Sequence, residues 1–424
     1  MRLLWPRKAV YYFFSRNVEK ERNMGNKKEE YSRIADKYFD AVVQTASEML
    51  RIPSMSGEEK EMAEYTVAKM KELGYDEVKV DRAGSVIGVM RGTGGGKSTM
   101  LNCHMDTVDE GPHEKWTHPP FSGAVADGKI WGRGASDTKG TFAAQVYTPY
   151  ILKKEGLLPK GDIYVVGVVH EESSGFGAMI MAQDGFTTDY AIMGEASEND
   201  IAVACRGRIG IEVIITGKSC HASIPHEGVN PFDFLGKFLV ALKDYKGIDN
   251  PKYGSSTLSA TRIKSSEAGT NVIPNSIQLS LDYRSVPGES NAEVIAKLYA
   301  IAEGCGTGDM KIEIKPATIP ITCYTGMTGE GFQGEPAYGI EETSETVTLA
   351  KNALEEAYGR SVKTKAWAFA TDSGHFGQLG VKVIGFSPAE IKKCHTVEDN
   401  LSLAMLKEGI VGNMVLAKTF CDQH

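Results

Sequence analysis

Histidine and carboxylate side chains recur at the ends of apolar segments of this 424-residue chain. His104 and Asp106 end one such segment, and their spacing of two puts them on the same side of a strand. A carboxylate in that position can accept the histidine N–H and fix the tautomer for metal binding. A lone histidine in a strand is more often structural than a ligand, so this pair by itself does not define a metal site.

Three further apolar segments end in ionisable groups. Glu171 and Glu172 follow one of them, Glu195 ends another, and His395 follows a predicted strand and turn. Unpaired buried charges are costly, and sheet ligands collect at the carboxyl ends of strands. Asp137 follows a glycine-rich turn, where a carboxylate could bridge two cations or simply cap a helix.

Imidazole and carboxylate ligands without thiolates suit zinc, cobalt or manganese rather than an iron–sulfur cluster. A pair of such ions with a free carboxylate beside it is hydrolytic machinery. The residue types therefore predict a two-metal site that hydrolyses an amide. The predicted site consists of His104, Asp106, Asp137, Glu171, Glu172, Glu195 and His395.

Composition excludes several other classes of protein. A net charge of −8 argues against nucleic-acid binding. No apolar run reaches the roughly 18 residues that a membrane span needs. The seven cysteines lack CxxC spacing, which is typical of reduced, mostly buried thiols in a cytosolic protein.

The first 23 residues are basic and differ in composition from the rest of the chain. They lack the long apolar core and the small-residue cleavage site of a signal peptide. One interpretation is that translation starts at Met24, and the alternative is a segment that lies on a membrane surface. We therefore assign residues 1–30 to an N-terminal extension outside the fold.

Alternating strands and helices over residues 31–205 predict an α/β layered sheet, the first part of a catalytic domain. Over residues 206–318 the predicted order is β-α-β-β-α-β, which is the ferredoxin-like split-βαβ sandwich. The α/β pattern resumes over residues 319–424. The sequence therefore predicts an α/β catalytic domain in two parts, with a second domain inserted between them.

Several local motifs have simple structural interpretations. A charged helix is predicted over residues 29–50, and Ser56 and Glu59 have capping-box spacing for the next helix. The segment 92–98 resembles a phosphate-binding loop but lacks its first glycine, so we interpret it as a hairpin loop. A glycine-rich loop is predicted over residues 326–339. Four histidines without partner spacing are interpreted as surface or loop residues: His113, His118, His226 and His375.

In combination, these motifs resemble the co-catalytic zinc metallopeptidase and deacylase family of acetylornithine deacetylase, succinyl-diaminopimelate desuccinylase, carboxypeptidase G and aminoacylase. The resemblance covers about residues 31–424, including the inserted segment. It implies a zinc-peptidase-like catalytic domain with an inserted lid and dimerisation domain. The motifs at Arg206, His221, Cys323 and 367–372 are most similar to the subgroup of selenium-metabolism-linked hydrolases.

The resemblance implies a role for each metal ligand. His104 and Glu195 would hold one ion, Glu172 and His395 would hold the other, and Asp137 would bridge the two. The ions would be two divalent cations per subunit, with zinc expected and cobalt or manganese as alternatives.

The other site residues are also matched to family positions. Glu171 matches the general base, and Asp106 matches the carboxylate that supports the metal-binding histidine. His221 matches an inserted-domain histidine that polarises the substrate carbonyl, often from the partner subunit. Asn271 and Arg284 match substrate-binding positions.

Resemblance, cysteine pattern and net charge together predict a cytoplasmic homodimer that hydrolyses a small-molecule substrate, with no nucleic-acid partner. We expect a deacylase that cleaves the amide bond of an N-acyl amino acid or a related small amide. Glutamate rather than aspartate at Glu195 favours this expectation. Two alternatives stay open, a metal-dependent di- or tripeptidase and a non-catalytic relative that binds metal or amino-acid-like ligands.

Overall fold

The structure is a computed structural model that describes the backbone of residues 7–424 and the side chains of residues 27–424. The α-helices of this part of the chain are α1 (Arg7–Leu50), α2 (Lys60–Glu72), α3 (Lys139–Lys154), α4 (Glu171–Ser174), α5 (Phe176–Gln183), α6 (Pro231–Ala241), α7 (Asn291–Gly304), α8 (Glu345–Tyr358), α9 (Ser373–Gly377) and α10 (Leu403–Cys421). Within residues 7–424, none of these helices has a continuous apolar length sufficient for a bilayer crossing.

The strands fall into three consecutive groups. The first group is β1 (Glu77–Val80), β2 (Val86–Met90), β3 (Thr99–His104), β4 (Ala124–Ala126), β5 (Lys129–Trp131), β6 (Ile163–Val168), β7 (Tyr190–Met193) and β8 (Ile201–Cys205). The second is β9 (Gly207–Thr216), β10 (Cys220–His221), β11 (Asp249–Asn250), β12 (Gly254–Ser255), β13 (Thr257–Ser265), β14 (Val272–Ile273), β15 (Ser276–Ser285) and β16 (Lys311–Pro316). The third is β17 (Thr318–Thr322), β18 (Thr328–Phe332), β19 (Tyr338–Gly339), β20 (Thr364–Trp367), β21 (Lys382–Gly385) and β22 (Asn400–Ser402).

A nine-stranded sheet forms the centre of the larger layered body. Its strand order is β1-β2-β6-β3-β7-β21-β8-β19, and β20 pairs with β8. Strand β3 runs parallel to both β6 and β7, and β21 runs parallel to β7. Four neighbouring strands, β6, β3, β7 and β21, therefore end at the same edge of the sheet.

Helices cover both faces of this sheet. Along β6, Val165 belongs to the apolar cluster that contains residues of α1, α3, α8 and α10, whereas Val166 and Val168 face a second cluster with residues of α5 and α9. Strands that are buried on both faces are apolar throughout, which explains the nearly continuous apolar segments in the sequence. The predicted α/β layered class is confirmed.

A separate four-stranded antiparallel sheet has the order β13-β15-β9-β16. Helices α6 and α7 share its apolar cluster, to which they contribute Phe234, Phe238 and Leu298. The chain order β9-α6-β13-β15-α7-β16 is the predicted split-βαβ order, so the fold class of the inserted segment is also confirmed. The domain limits given above remain a prediction.

The structure corrects the interpretation of Ser56 and Glu59. Helix α2 begins at Lys60, and no side chain caps its N-terminal end. The Ser56 hydroxyl instead donates to Asp106 Oδ2 at 2.6 Å, and buried Glu59 Oε1 accepts the N–H of His170 at 3.1 Å. Both side chains have tertiary partners that outcompete the local cap, and these partners lie at the candidate site.

Other local predictions also differ from the structure. Helix α1 begins at Arg7 rather than near residue 29, and the first six residues of the predicted extension lie outside the described part. Segment 92–98 is not a hairpin loop, because β6 lies between β2 and β3. The predicted loop 326–339 contains β18, which pairs with β17. Long-range strand pairing decided both of these cases.

Candidate active site

The predicted metal ligands meet at the shared edge of the four parallel strands. His104 is the last residue of β3, and Glu172 lies in α4 directly after β6. Glu195 lies two residues beyond β7, and His395 lies in the loop that follows β21. Asp137 precedes α3, and its peptide bond to Thr138 is cis.

A continuous series of contacts joins all five side chains. His104 Nε2 lies 2.9 Å from Asp137 Oδ1 and 3.6 Å from Glu195 Oε1. His395 Nε2 lies 3.0 Å from Glu172 Oε1 and 3.1 Å from Asp137 Oδ2. Asp137 therefore contacts both histidines, each through a different carboxylate oxygen, and the cluster divides into two halves around it.

The hydrogen bond of His104 defines which of its nitrogens faces the carboxylates. Its Nδ1 lies 2.8 Å from the backbone carbonyl oxygen of Asp106. A carbonyl oxygen can only accept, so Nδ1 carries a proton and donates it. In the neutral imidazole, Nε2 then directs a lone pair at Asp137 and Glu195. That contact is favourable only when a proton or another cation lies between these groups.

The pKa values of these groups are shifted in the directions that a shortage of positive charge produces. Hydrogen bonds to Asp137 and Glu172 raise the pKa of His395 to about 10. Burial and the charge of Asp137 raise the pKa of Glu195 to about 8. Burial opposes the shift at His104, but its hydrogen bond to Asp137 and the neighbouring carboxylates raise the pKa well above its usual value. The carboxylates outnumber the two imidazoles, and the pKa of each imidazole is raised for that reason.

The donor set fits divalent metal ions. Imidazole nitrogen and carboxylate oxygen suit zinc, cobalt and manganese. Ligands that share a tetrahedral zinc ion at about 2.0–2.2 Å lie on the order of 3.3 Å apart. The contacts from 2.9 to 3.6 Å around His104 and His395 are of that size.

Asp106 supports the site in a different way from the predicted one. Its carboxylate lies 3.6 Å from His104 Nδ1, which bonds to the backbone carbonyl instead. The carboxylate oxygens accept the backbone N–H groups of Glu171 and Glu172, both at 3.1 Å, as well as the Ser56 hydroxyl. The tautomer is therefore fixed by the main chain, while the Asp106 side chain positions the two glutamates.

A second buried carboxylate joins the loops of Asp137 and His395. Asp399 accepts the N–H groups of Gly134 and Ser136 at 2.8 Å each. It also pairs with buried Arg133 at 3.4 Å, and Arg133 donates to the carbonyl oxygen of Thr396. Neither loop has regular secondary structure, so these bonds hold together the two loops that carry Asp137 and His395.

Another acidic group lies next to Glu171. Oxygens of Glu171, Glu335 and Asp372 lie within 4.8 Å of one another. Burial, followed by the charge of Glu335, raises the pKa of Glu171 well above its usual value. Burial also raises the pKa of Asp372 to about 7. His375, from α9, is part of the same region: its Nε2 and a Glu335 oxygen both approach Gly175.

The interpretation of His375 as a surface or loop residue is wrong. Its side chain is buried, and burial lowers the pKa to about 4. Sequence reasoning also missed the site contacts of Ser56, Glu59, Asp399, Glu335 and Asp372. Of these residues, only Asp372 could have been identified from the sequence, because it lies in the 367–372 motif. The others become neighbours of the site only through the fold.

The three predicted residues of the inserted segment lie apart from this cluster. His221 is exposed on the two-stranded β10–β14 ribbon, where Asn271 O accepts the N–H of Ala222. Arg284 lies on β15 and donates from Nε to Asp282 at 2.7 Å. In the described part of the chain, their hydrogen bonds and ion pairs do not reach the metal-ligand cluster.

The protein that combines this layered sheet, inserted split-βαβ sheet and acidic cluster is a hydrolase of amide bonds. The family model of peptidase family M20/M25/M40 matches residues 100–416, and the chain belongs to this family. The family resemblance inferred from the sequence motifs is thereby confirmed.

Relatives of known sequence agree with this assignment. The uncharacterized protein YgeY of Escherichia coli (strain K12) is 28% identical over 361 residues, 82% of this chain and 86% of YgeY. A probable succinyl-diaminopimelate desuccinylase of Staphylococcus epidermidis is 32% identical over 210 residues, 49% of this chain and 52% of that protein.

Two solved structures share the fold of this chain over almost the whole of their own length. The aminopeptidase PepT from Bacillus cereus matches with a TM-score of 0.70 and 20% identity, over 90% of this chain and 98% of PepT. The Bacillus subtilis YXEP protein, described as a dinuclear metal-binding peptidase, matches with a TM-score of 0.67 and 16% identity, over 92% of this chain and 100% of YXEP.

The contacts of Asp106 generate a first prediction. We expect Asp106→Asn to speed amide hydrogen exchange of residues 170–174 on the order of tenfold, because one acceptor oxygen becomes a donor facing backbone N–H groups. Exchange measured by mass spectrometry of peptides from this region tests it. Asp309→Asn, at an exposed aspartate, is the matched control. Unchanged exchange in Asp106→Asn would show that its carboxylate does not hold α4.

Proposed function

We propose that the protein is a two-metal deacylase that cleaves the amide bond of an N-acyl amino acid or a related small amide. The observation that carries this proposal is the cluster of five imidazole and carboxylate ligands with Glu171 directly beside it. Cleavage of di- or tripeptides is the second candidate, because the same groups can hydrolyse a peptide amide. The complete ligand set disfavours a purely binding role.

We assign His104 and Glu195 to one divalent ion, Glu172 and His395 to the other, and Asp137 to both. The support is the division of contacts, in which each histidine touches Asp137 and one glutamate. Zinc is the expected metal, with cobalt or manganese as alternatives. When bound, the ions supply Lewis acidity to the amide carbonyl and lower the pKa of a water.

Glu171 is the proposed proton carrier. Its backbone is fixed by Asp106, whereas its side chain is half-buried and makes no ligand contact with either histidine. A carboxylate with a raised pKa can take a proton from the attacking water and return it to the leaving amine. Glu171 is adjacent to Glu172 in the chain, but its carboxylate lies with those of Glu335 and Asp372 instead of with the candidate ligands. Both facts fit the role of proton carrier.

His221 is the proposed donor to the oxyanion that develops on the substrate carbonyl. The N–H of Ser223 donates to His221 Nδ1 at 3.2 Å, so in the neutral ring Nε2 carries the proton. The exposed imidazole can therefore offer an Nε2–H donor. Because it lies on the inserted segment, closure of this segment or a partner subunit would have to bring it to the substrate.

The substrate carboxylate is proposed to meet Asn271 and Arg284. Asn271 directly precedes β14, where its backbone oxygen bonds to Ala222 next to His221, and Arg284 is half-buried on the four-stranded sheet. Asp282 takes the Nε donor of Arg284 at 2.7 Å and an Nη2 donor at 3.5 Å, so Nη1 is the nitrogen that would bind the substrate carboxylate.

We also propose a cytoplasmic homodimer. All seven cysteines are free thiols, which is typical of a reducing compartment. Strand β13 is an edge strand with mostly exposed side chains, so its free backbone groups could pair with a second copy.

Metal analysis tests the ligand assignment. We expect two zinc ions per chain in reconstituted wild type and roughly one in His104→Ala or His395→Ala, because each removes the one imidazole assigned to an ion. Exposed His226→Ala is the control and should keep both ions. Trace binding in the wild type would end the metal assignment.

Replacement of Glu171 separates proton transfer from metal binding. Glu171→Gln should keep its metal content and lose at least about a hundredfold in kcat, because the amide keeps the shape but cannot carry the proton. A panel of N-acyl, N-carbamoyl and dipeptide substrates with metal-loaded enzyme gives the measurement. Equal metal loss in Glu171→Gln and Glu172→Gln would show that the two roles are misassigned.

The role of His221 has its own test. His221→Ala should lower kcat by a factor on the order of a hundred with normal metal content, as for loss of an oxyanion donor. If the partner subunit supplies this residue, co-expression of His221→Ala with Glu171→Gln chains should restore activity in heterodimers. Turnover like that of the wild type in His221→Ala would remove it from the mechanism and leave His226 as the next candidate.

A further inference from the structure

The pair Glu335 and Asp372 has no role in the proposed hydrolysis, although it lies beside the proton carrier. Oxygens of these two carboxylates and of Glu171 lie within 4.8 Å of one another. Glu335 is 7% exposed and Asp372 is 2% exposed. The two residues come from distant segments, since Glu335 follows β18 and Asp372 precedes α9.

The polar atoms of this pair lack partners. Glu335 Oε2, Asp372 Oδ1 and His375 Nε2 are all buried without a hydrogen bond. The leading charges that act on the two carboxylates are those of other carboxylates and of His104. Buried carboxylates without a partner are costly, so they are compensated either by a retained proton or by a ligand that brings positive charge and hydrogen-bond donors.

Gly175 is packed closely against Glu335 and His375. A Cβ atom at this position would lie 2.9 Å from Glu335 Oε1 and 2.9 Å from His375 Nε2. Both polar atoms therefore lie against the backbone of Gly175, and a side chain at this position would displace them. The φ of +61° at Gly175 also favours glycine there.

The backbone places Glu335 at the junction of the two large sheets. Its carbonyl oxygen accepts the N–H of Arg208 in β9 at 2.9 Å, and the nearby Gln333 oxygen accepts the N–H of Gly210 at 2.7 Å. Through these bonds, the first residues of the four-stranded sheet fix the segment that carries Glu335. The pair thus lies where the inserted segment meets the metal-ligand edge.

We infer that Glu335, Asp372 and His375 form a subsite for a primary ammonium group of the substrate. This inference rests on the proposed function. An ammonium has three N–H donors, which match two carboxylates and the Nε2 of a neutral imidazole. Acceptors at about 2.8 Å from one nitrogen lie on the order of 4.6 Å apart, which is compatible with the limit of 4.8 Å between the oxygens of Glu335 and Asp372.

The position of the subsite beside Glu171 puts the ammonium close to the amide that is cleaved. The substrate is therefore either a short peptide with a free α-amino group or an N-acylated basic amino acid. A third metal ion would suit the same oxygens but would occupy Glu171, which the hydrolysis needs as its proton carrier.

Paired substrates test the subsite in metal-loaded enzyme. The first pair is alanylglycine and isobutyrylglycine, in which a methyl group replaces the ammonium on the acyl side. The second pair is Nα-acetyl-lysine and its analogue with a methyl group in place of the side-chain ammonium. The variants are Glu335→Gln and Asp372→Asn, and Glu330→Gln is the matched control at an exposed glutamate.

In one of the two pairs, we expect the wild type to prefer the ammonium substrate. Glu335→Gln should lower kcat/KM for that substrate on the order of a hundredfold, mainly through KM, because a desolvated charge pair is lost. The methyl analogue should change little, and Glu330→Gln should behave as the wild type. The pair that responds tells whether the ammonium lies on the acyl side or the amine side.

Three results would overturn the subsite. These are equal losses for both members of a pair, no effect of either variant, and a third metal ion that Glu335→Gln removes. Calorimetric binding of butylammonium, compared with butanol, to wild type and Glu335→Gln gives a readout without turnover, and equal binding of the two probes would also count against the subsite. Failure of all amide substrates with intact butylammonium binding would reject the proposed function but keep the subsite. Thermal unfolding midpoints show whether each variant is folded.

Discussion

The concentration of negative charge at one edge of the large sheet is the constraint on which the rest of the structure depends. Asp137, Glu172 and Glu195 approach two histidines within 3.6 Å, and further carboxylates lie directly behind them. Water cannot solvate such a group once it is buried, so the group needs cations, backbone N–H donors or retained protons. The groups around the site can be sorted by which of these three means of compensation they provide.

Backbone N–H groups neutralise the supporting carboxylates. Asp106 takes two N–H groups from the start of α4, Asp399 takes two from the loop before Asp137, and Glu59 takes one from His170. These bonds also determine the position of the loops, because each acceptor lies far in sequence from its donors. Electrostatic compensation and loop geometry are therefore the same set of interactions.

The two groups of carboxylates differ in what can neutralise them. The metal-ligand cluster combines imidazole with carboxylate in the manner of a divalent-cation site. Glu335 and Asp372 have unpartnered oxygens and a neutral histidine, which favours a ligand that arrives with its own hydrogen-bond donors. The fold is shared with peptidases of low identity, so substrate choice must lie in such local groups rather than in the fold.

The sequence by itself determined the layered α/β class, the split-βαβ insertion and the candidate metal ligands. Hydrophobic periodicity is local, and ligands at strand ends follow from it once neighbouring strands are parallel. Apart from Asp106, which the sequence already indicated, tertiary structure alone decided which groups support them. The sequence pattern of Ser56 and Glu59 matched a capping box, and His375 had no partner spacing, yet all three are site neighbours. Their partners are separated from them by long stretches of chain, and only packing brings such residues into hydrogen-bond range. The same holds for segment 92–98, because the insertion of β6 between β2 and β3 is a long-range pairing that no local pattern contains.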